Sequence, residues 1–266
     1  MRKIIIVLIL ALELVPCGLI AQVDDSFTKA LLHFDGGFTD ESGKSWASYG
    51  NAVTTTTKSK FGGYSLYLDG EGDWLETASS IADFSFPGDF TIDFWINCGF
   101  QFSGNSIFSL TDEAGNPPYW LFWFEDSDNF PGISLSSLSS NFIESSTAVS
   151  FDTWHHLAVT REGATIRFFI DGNQTATNSS TMALESTTAS LFRIGKQKDF
   201  APSYFFGYLD EIRISKGVAR WVSNFIPPTE EYGPTAAASD TGLLMRMAPG
   251  GHLRMAPGGK LLFAGE

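Results

Sequence analysis

Trp154-His155-His156-Leu157-Ala158-Val159-Thr160-Arg161-Glu162-Gly163-Ala164-Thr165-Ile166-Arg167-Phe168-Phe169-Ile170-Asp171-Gly172 is the stretch that decides the fold class. Two runs of alternating β-branched and aromatic residues flank Arg161-Glu162-Gly163-Ala164, a short polar link whose glycine can supply the positive φ of a tight turn. The stretch therefore reads as one β-hairpin. Period-two alternation puts Leu157, Val159, Ile166, Phe168 and Ile170 on one face and His156, Thr160, Arg167, Phe169 and Asp171 on the other. An apolar face backed by a polar and aromatic one is the pattern of a sheet packed on one side and meeting solvent or a ligand on the other, so an antiparallel sandwich is expected.

The same alternation continues on both sides of the hairpin. Phe90-Thr91-Ile92-Asp93-Phe94-Trp95-Ile96-Asn97 directs Phe90, Ile92, Phe94 and Ile96 into a core, and Thr91, Asp93, Trp95 and Asn97 to the opposite face. Gly207-Tyr208-Leu209-Asp210-Glu211-Ile212-Arg213-Ile214-Ser215 reads as a strong late strand, with a short helical turn expected over Lys216 to Trp221. Shorter strands are expected at Ala30 to Phe34, Ser65 to Leu68, Asp73 to Thr77, Ser106 to Leu110, Tyr119 to Glu125, Ile133 to Leu135 and Leu191 to Ile194, separated by Gly, Pro, Asn and Ser clusters. Tyr119 to Phe124 is apolar on both alternating faces, which suits a central strand better than a sugar platform.

Composition narrows the function classes. With 43% hydrophobic, 14% aromatic and only 18% charged residues in 266, the chain has the makings of a large turn-rich β domain and not of a disordered one. The formal charge of -13 repels a polyanion, so no nucleic acid partner is expected. Residues 1–22 have a basic start (Arg2, Lys3), an apolar run from Ile4 to Leu12 and small residues near Gly18 and Ala21, the layout of a secretory signal. That run is too short to cross a bilayer comfortably, and no transmembrane segment is expected in the mature chain, which would be secreted or held at the cell surface.

Leu14-Val15-Pro16-Cys17 resembles a lipoprotein box, with Pro16 standing where a small residue is usual. Cys17 is either lipidated or discarded with the signal, and Cys98 is left without an intramolecular disulfide partner. After a β domain over residues 23–234, the tail at 235–266 repeats Arg246-Met247-Ala248-Pro249-Gly250-Gly251 as Arg254-Met255-Ala256-Pro257-Gly258-Gly259. Pro-Gly-Gly breaks so close together read as a flexible extension or a short docking tail.

Taken together, Leu31 to Asp35, Phe61 to Gly70, Asp89 to Ile96, Trp154 to Glu162, Phe169 to Gly172 and Gly207 to Trp221 resemble the laminin G-like, concanavalin A-like lectin/glucanase jelly-roll family over residues 28–232. The resemblance implies two curved antiparallel sheets packed face to face. It also implies a calcium ion on the convex side and a glycan or protein bound on the concave side or at the loop edges. For calcium, the matching positions are Asp210 on the late strand, with Asp35 and Gly63 nearby; the alternative is that Asp210 caps the sheet edge or pairs with Arg213 or Lys216. The order Glu71-Gly72-Asp73-Trp74-Leu75-Glu76 matches the Glu-x-Asp-x-x-Glu spacing of laminarinase-like glycoside hydrolases, but Glu71 and Gly72 fall in a glycine turn, so catalysis is the least favoured reading.

For ligand binding, the residues opposite the core pattern form one expected surface: Asp93, Trp95, Asn97, His156, Thr160, Arg167, Arg193, Glu211 and Arg213. An aromatic face covers the C–H patch of a pyranose while acids, amides and guanidinium groups satisfy its hydroxyls. The alternative is that the charges form surface ion pairs and Trp95 is packing. His155 points coreward and is expected to be a hydrogen-bonded edge of the core. The reading that follows is an exported, non-catalytic carbohydrate-binding domain. The alternatives are a protein-binding adhesive or surface module and, behind it, a glycoside hydrolase.

Overall fold

The computed structural model describes residues 26–99, 105–111, 120–126, 131–137, 142–179, 184, 189–197, 203–233, 244–247, 251–256 and 260–264. The expected signal segment, Cys17 and Tyr119 lie outside the described residues. The chain divides into two compact units, Met1–Pro234 and Thr235–Glu266.

The larger unit is built from strands β1 (Thr28–Leu32), β2 (Ala47–Tyr49), β3 (Val53–Thr55), β4 (Ser65–Asp69), β5 (Trp74–Thr77), β6 (Phe90–Cys98), β7 (Asn105–Thr111), β8 (Trp120–Asp126), β9 (Pro131–Ser137), β10 (Phe142–Glu144), β11 (His155–Glu162), β12 (Thr165–Ile170), β13 (Asn173–Ser179), β14 (Leu191–Ile194) and β15 (Phe206–Lys216). They form two antiparallel sheets. Sheet one runs β13-β12-β11-β6-β15-β4-β3, with β1 also on β15, and sheet two runs β10-β9-β8-β7-β14-β5-β2. Among the described residues the only helix is a 3₁₀ turn at Ile81–Phe84. The helical turn expected over Lys216 to Trp221 is absent: Lys216 ends β15 and the chain beyond it is irregular, because its donors are taken by other segments.

The deciding hairpin forms as its alternation requires. Leu157 pairs with Ile170, Val159 with Phe168 and Arg161 with Ile166, across a turn at Gly163 whose φ is +57°. Leu157, Val159, Ile166, Phe168 and Ile170 are all buried, and they meet Phe90, Ile92, Phe94, Ile96, Ile212 and Ile214 of sheet one and Phe108, Phe122 and Phe192 of sheet two in one core. Phe94 packs edge-on against Phe108, centroids 5.0 Å apart, and against Phe122 at 5.4 Å, joining the two layers. Trp120 is fully buried, so its indole N–H needs an acceptor; it donates to the Phe84 carbonyl at 2.8 Å.

The opposite face of the hairpin departs from expectation. Its His156, Thr160 and Phe169 are buried, because residues 217–233 leave β15 and cross the outer face of sheet one as a strap, while Arg167 and Asp171 keep contact with solvent. Trp221 and Phe225 stack at 4.0 Å and pack with Ala158 and Phe169. The Thr160 hydroxyl donates to the Trp221 carbonyl at 2.8 Å, the Thr91 hydroxyl to Val218 O at 2.9 Å, and the Phe225 N–H to Gly172 O at 2.9 Å. Gly172 admits that approach because its φ is +75° and a Cβ there would stand 1.9 Å from the Phe225 carbonyl oxygen.

The smaller unit, expected as a flexible extension or a short docking tail, carries three short strands. Strands β16 (Leu244–Met247), β17 (Gly251–Ala256) and β18 (Lys260–Ala264) pair antiparallel in a three-stranded sheet.

Candidate functional site

The residues expected to face a ligand on sheet one are a buried polar lock beneath the strap and the adjoining loops. Asp93, His156 and Arg213 have no exposed surface, and Glu211, Asn97 and Trp95 retain 1%, 3% and 6%. Arg213 donates from Nε and a terminal nitrogen to the two Asp93 oxygens, each at 3.1 Å, while the Tyr232 hydroxyl also donates to Asp93. The Arg213 guanidinium lies 3.8 Å from the Tyr232 ring centroid. Burial on its own would raise the Asp93 carboxyl, but the Arg213 charge and the His156 contact outweigh it and hold it at about 2. Burial pushes His156 the other way, below the ordinary imidazole value.

Glu211, at a positive φ of 49° in the bulge between Asp210 and Arg213, accepts from the Tyr232 N–H at 2.8 Å and sits 2.7 Å from His33 Nδ1. Trp95 is covered by Lys60, whose ammonium is 3.8 Å from its ring, and Asn97 accepts from Lys58 at 3.1 Å. Arg167 stands away from this lock, 3.4 Å from Glu162, and Arg193 belongs to sheet two. The single convergent surface expected of these residues is thus not what the fold assembles. Strand alternation assigns a face but carries no information about what later chain covers it. His155 makes the hydrogen bonds expected of it, to Ser150 and Asp171, both 2.7 Å.

Asp210 is fully buried and pairs with neither Arg213 nor Lys216. Its carboxylate accepts from the N–H groups of Lys60 at 2.8 Å, Phe61 at 3.2 Å and Glu211 at 2.9 Å. Burial outweighs these donors and pushes its carboxyl up to about 8. Three main-chain donors already engage its oxygens, and the Lys60 ammonium interacts with its charge. Asp35 approaches the same loop, since a Cβ on Gly62 would fall 1.9 Å from its Oδ1, and Gly63 keeps a φ of +85°. Among the described residues no three His, Cys, Asp or Glu side chains converge on one point, so any ion here would depend on backbone oxygens.

Sheet two presents a surface that the sequence reading passed over. Leu75 points into the core from β5, so Trp74 and Glu76 point out, opposite Tyr49 and Ala47 of β2. The Tyr49 ring stacks on Trp74 with centroids 4.4 Å and planes 5° apart, and Tyr49 remains 38% exposed. Lys196 stands 3.7 Å from the Trp74 ring and Tyr204 stacks on it at 6.2 Å. Beside them the Tyr49 hydroxyl donates to Glu76 at 3.4 Å and Arg193 donates to Glu76 at 2.7 Å.

The result is an aromatic plate with the Glu76 carboxylate at its edge, while the Arg193 guanidinium and the Lys196 ammonium that hold Glu76 and the Trp74 ring are themselves buried. The alternation Trp74-Leu75-Glu76-Thr77 carried the signal, but Tyr49 lies in a strand of only three residues with no periodicity to read. The hydrolase-like acids are separated by the same geometry. Glu71 lies in the turn, its N–H bonded to Asp69 at 2.7 Å, Asp73 is buried accepting from the N–H groups of Asn51 and Asp69, and Glu76 alone faces outward from a strand.

Comparison with known proteins agrees with this architecture. Residues 69–220 match the family model Laminin_G_3, described as the concanavalin A-like lectin/glucanases superfamily, and no curated protein sequence matches. Domain 4 of AbnA, a GH43 extracellular arabinanase from Geobacillus stearothermophilus solved with arabinotriose, is similar at a TM-score of 0.56 and 16% identity, over 72% of this chain and 93% of that one. The binding domain of Paraclostridial Mosquitocidal Protein 1 is similar at 0.54 and 16%, over 73% and 50%. The binding domain of botulinum neurotoxin DC in complex with SialylT gives 0.55 and 14%, over 73% and 49%. The chain spans about half the length of the two toxin chains, and at these identities the likeness is one of fold.

Proposed function

We propose, from the premise that the chain belongs to the concanavalin A-like lectin/glucanase superfamily, that it is a non-catalytic carbohydrate-binding domain whose sugar-contacting surface is the Tyr49–Trp74 plate on sheet two. The observation that carries the reading is the exposed Tyr49 ring held flat on Trp74 at 4.4 Å, with its hydroxyl tied to Glu76. A ring already fixed loses little freedom on binding, and it offers the apolar face of a sugar a contact that water does not replace. Glu76 at the edge of the plate supplies an acceptor for a sugar hydroxyl, and the buried Arg193 and Lys196 hold Glu76 and the Trp74 ring in place. Arabinotriose bound to the AbnA domain is in keeping with this class of ligand.

Absence of hydrolysis is part of the proposal. A glycosidase needs two carboxyl groups across the scissile bond, and here Glu76 is engaged by Arg193 while Asp73 is buried in a turn. The apolar Ile4 to Leu12 segment supports export. The test is retention on a panel of immobilised polysaccharides, including arabinan and laminarin. Tyr49→Ala should weaken binding by about 2 kcal/mol, roughly thirty-fold. Unchanged retention in folded Tyr49→Ala would move the site elsewhere, and reducing-sugar release lost in Glu76→Gln would make the protein an enzyme.

A further inference from the structure

Resting on the carbohydrate reading above, we propose that the domain carries a second sugar-contacting surface on the outer face of sheet one, and so bridges two neutral glycan chains. The strap covers Asp93, His156 and Arg213, but the row Val53, Tyr67 and Tyr208, aligned across β3, β4 and β15, lies beyond it. Leu66, Leu68 and Leu209 point into the core, so Tyr67 and Tyr208 point outward from the sheet. Their rings sit 4.9 Å apart and inclined by 39°, both half-buried, with Val53 47% exposed at the end of the row.

Two features separate this pair from ordinary packing. Neither phenol hydroxyl has a hydrogen-bond partner among the described residues, whereas those of Tyr49 and Tyr232 are bonded to Glu76 and Asp93. A cation is also fixed over one ring: Lys58 lies 5.1 Å from the Tyr208 centroid, held by Asn97 at 3.1 Å and Asp152 at 3.0 Å. Two inclined rings with free hydroxyls, a donor in Lys58 and an acceptor in Asp152 match a run of neutral sugars, which offers apolar C–H patches ringed by hydroxyls. Asp152 offsets Lys58, and the chain's net charge of -13 disfavours an acidic glycan. Because the outer faces of a sandwich point away from each other, this surface and the Tyr49 plate cannot serve the same stretch of polysaccharide.

The experiment uses the full chain with beads carrying arabinan, laminarin or polygalacturonate, read both for retention of protein and for bead clumping. Wild type is expected to be retained on a neutral bead and to clump it. Tyr67→Thr with Tyr208→Thr, residues that suit a strand, should remain folded by circular dichroism and remain retained but lose clumping, as should Tyr208→Thr alone in large part. Tyr49→Ala should lose clumping too and be retained more weakly than wild type, and adding Tyr67→Thr and Tyr208→Thr to it should abolish the retention that remains. Clumping that survives loss of both tyrosines, retention of wild type without clumping, or clumping confined to polygalacturonate would overturn the second surface and leave the first reading standing. No retention on any bead would overturn both.

Discussion

Replacing Arg213 by Met tests whether the strap is locked by charge. Arg213 and Asp93 have no exposed surface and meet through two hydrogen bonds of 3.1 Å, with Tyr232 closing over them from the strap. Met keeps most of the side-chain volume, so the change leaves a buried carboxylate with its cation removed and also takes away the guanidinium contacts to the Tyr232 and Trp221 rings. Breaking one partner of a buried pair costs about 3–5 kcal/mol, because the remaining charge stays desolvated. For a unit of this size that corresponds to a fall in melting temperature of roughly 8–16 °C.

Adding Asp93→Asn to Arg213→Met should recover part of the loss, since the stranded charge is then gone. The pair also sets an acid limit. With its pKa at about 2 in the folded state and near 3.9 unfolded, Asp93 contributes stability fully present above about pH 4 and lost as pH falls toward 2, worth about 2.5 kcal/mol. His156, lowered by burial, adds a loss that begins as pH drops below its unfolded value of about 6.5. Urea denaturation of the single and double variants across pH is the assay. A loss under about 1 kcal/mol in Arg213→Met, or no recovery in the double variant, would refute the lock.

Two further outcomes are expected. Gly172→Ala should cost more than about 1 kcal/mol and loosen the strap, because the new Cβ meets the Phe225 carbonyl oxygen and the backbone stands at φ +75°; amide hydrogen exchange at Phe225 indistinguishable from wild type would contradict this. Asp210, whose folded pKa of about 8 lies above the unfolded one, takes up a proton on folding, so calcium-free stability should fall as pH rises from about 4 through 8. At fixed calcium and pH 8, chelation should lower the melting temperature of wild type and leave that of Asp210→Ala nearly unmoved, and equal responses would remove the metal from Asp210.

The sandwich was legible wherever a strand buries one face. Ile92, Phe94, Leu157, Val159, Phe168, Ile170 and Ile212 announce the core by period two, and all lie in it. The site was not, and for a physical reason that Asp93 and Tyr49 illustrate. A polar residue opposite the core pattern has the same sequence signature whether it meets water or a later segment. What covers Asp93 is residues 217–233, held largely by bonds from main-chain groups such as those of Val218, Trp221 and Phe225, which any sequence can make. Tyr49 gains its role from Trp74, 25 positions away in sequence and opposite only through strand register. In the tail the Pro-Gly-Gly triplets are legible in the sequence, and the pairing of the short segments around them is not.

The strap also fixes how small a working piece of this protein can be. A fragment cut to the family match at residues 69–220 would lack β1, β3 and nearly all of β4, three of the strands that complete sheet one, and would end before Trp221, Phe225 and Tyr232. Its Asp93–Arg213 pair and the Phe169 ring would open to water, giving a soluble-looking boundary an adhesive, aggregation-prone face. Recombinant pieces should therefore begin before Thr28 and run past Tyr232, and grafts of this domain onto other proteins should be joined at the Pro234–Thr235 division between its two units.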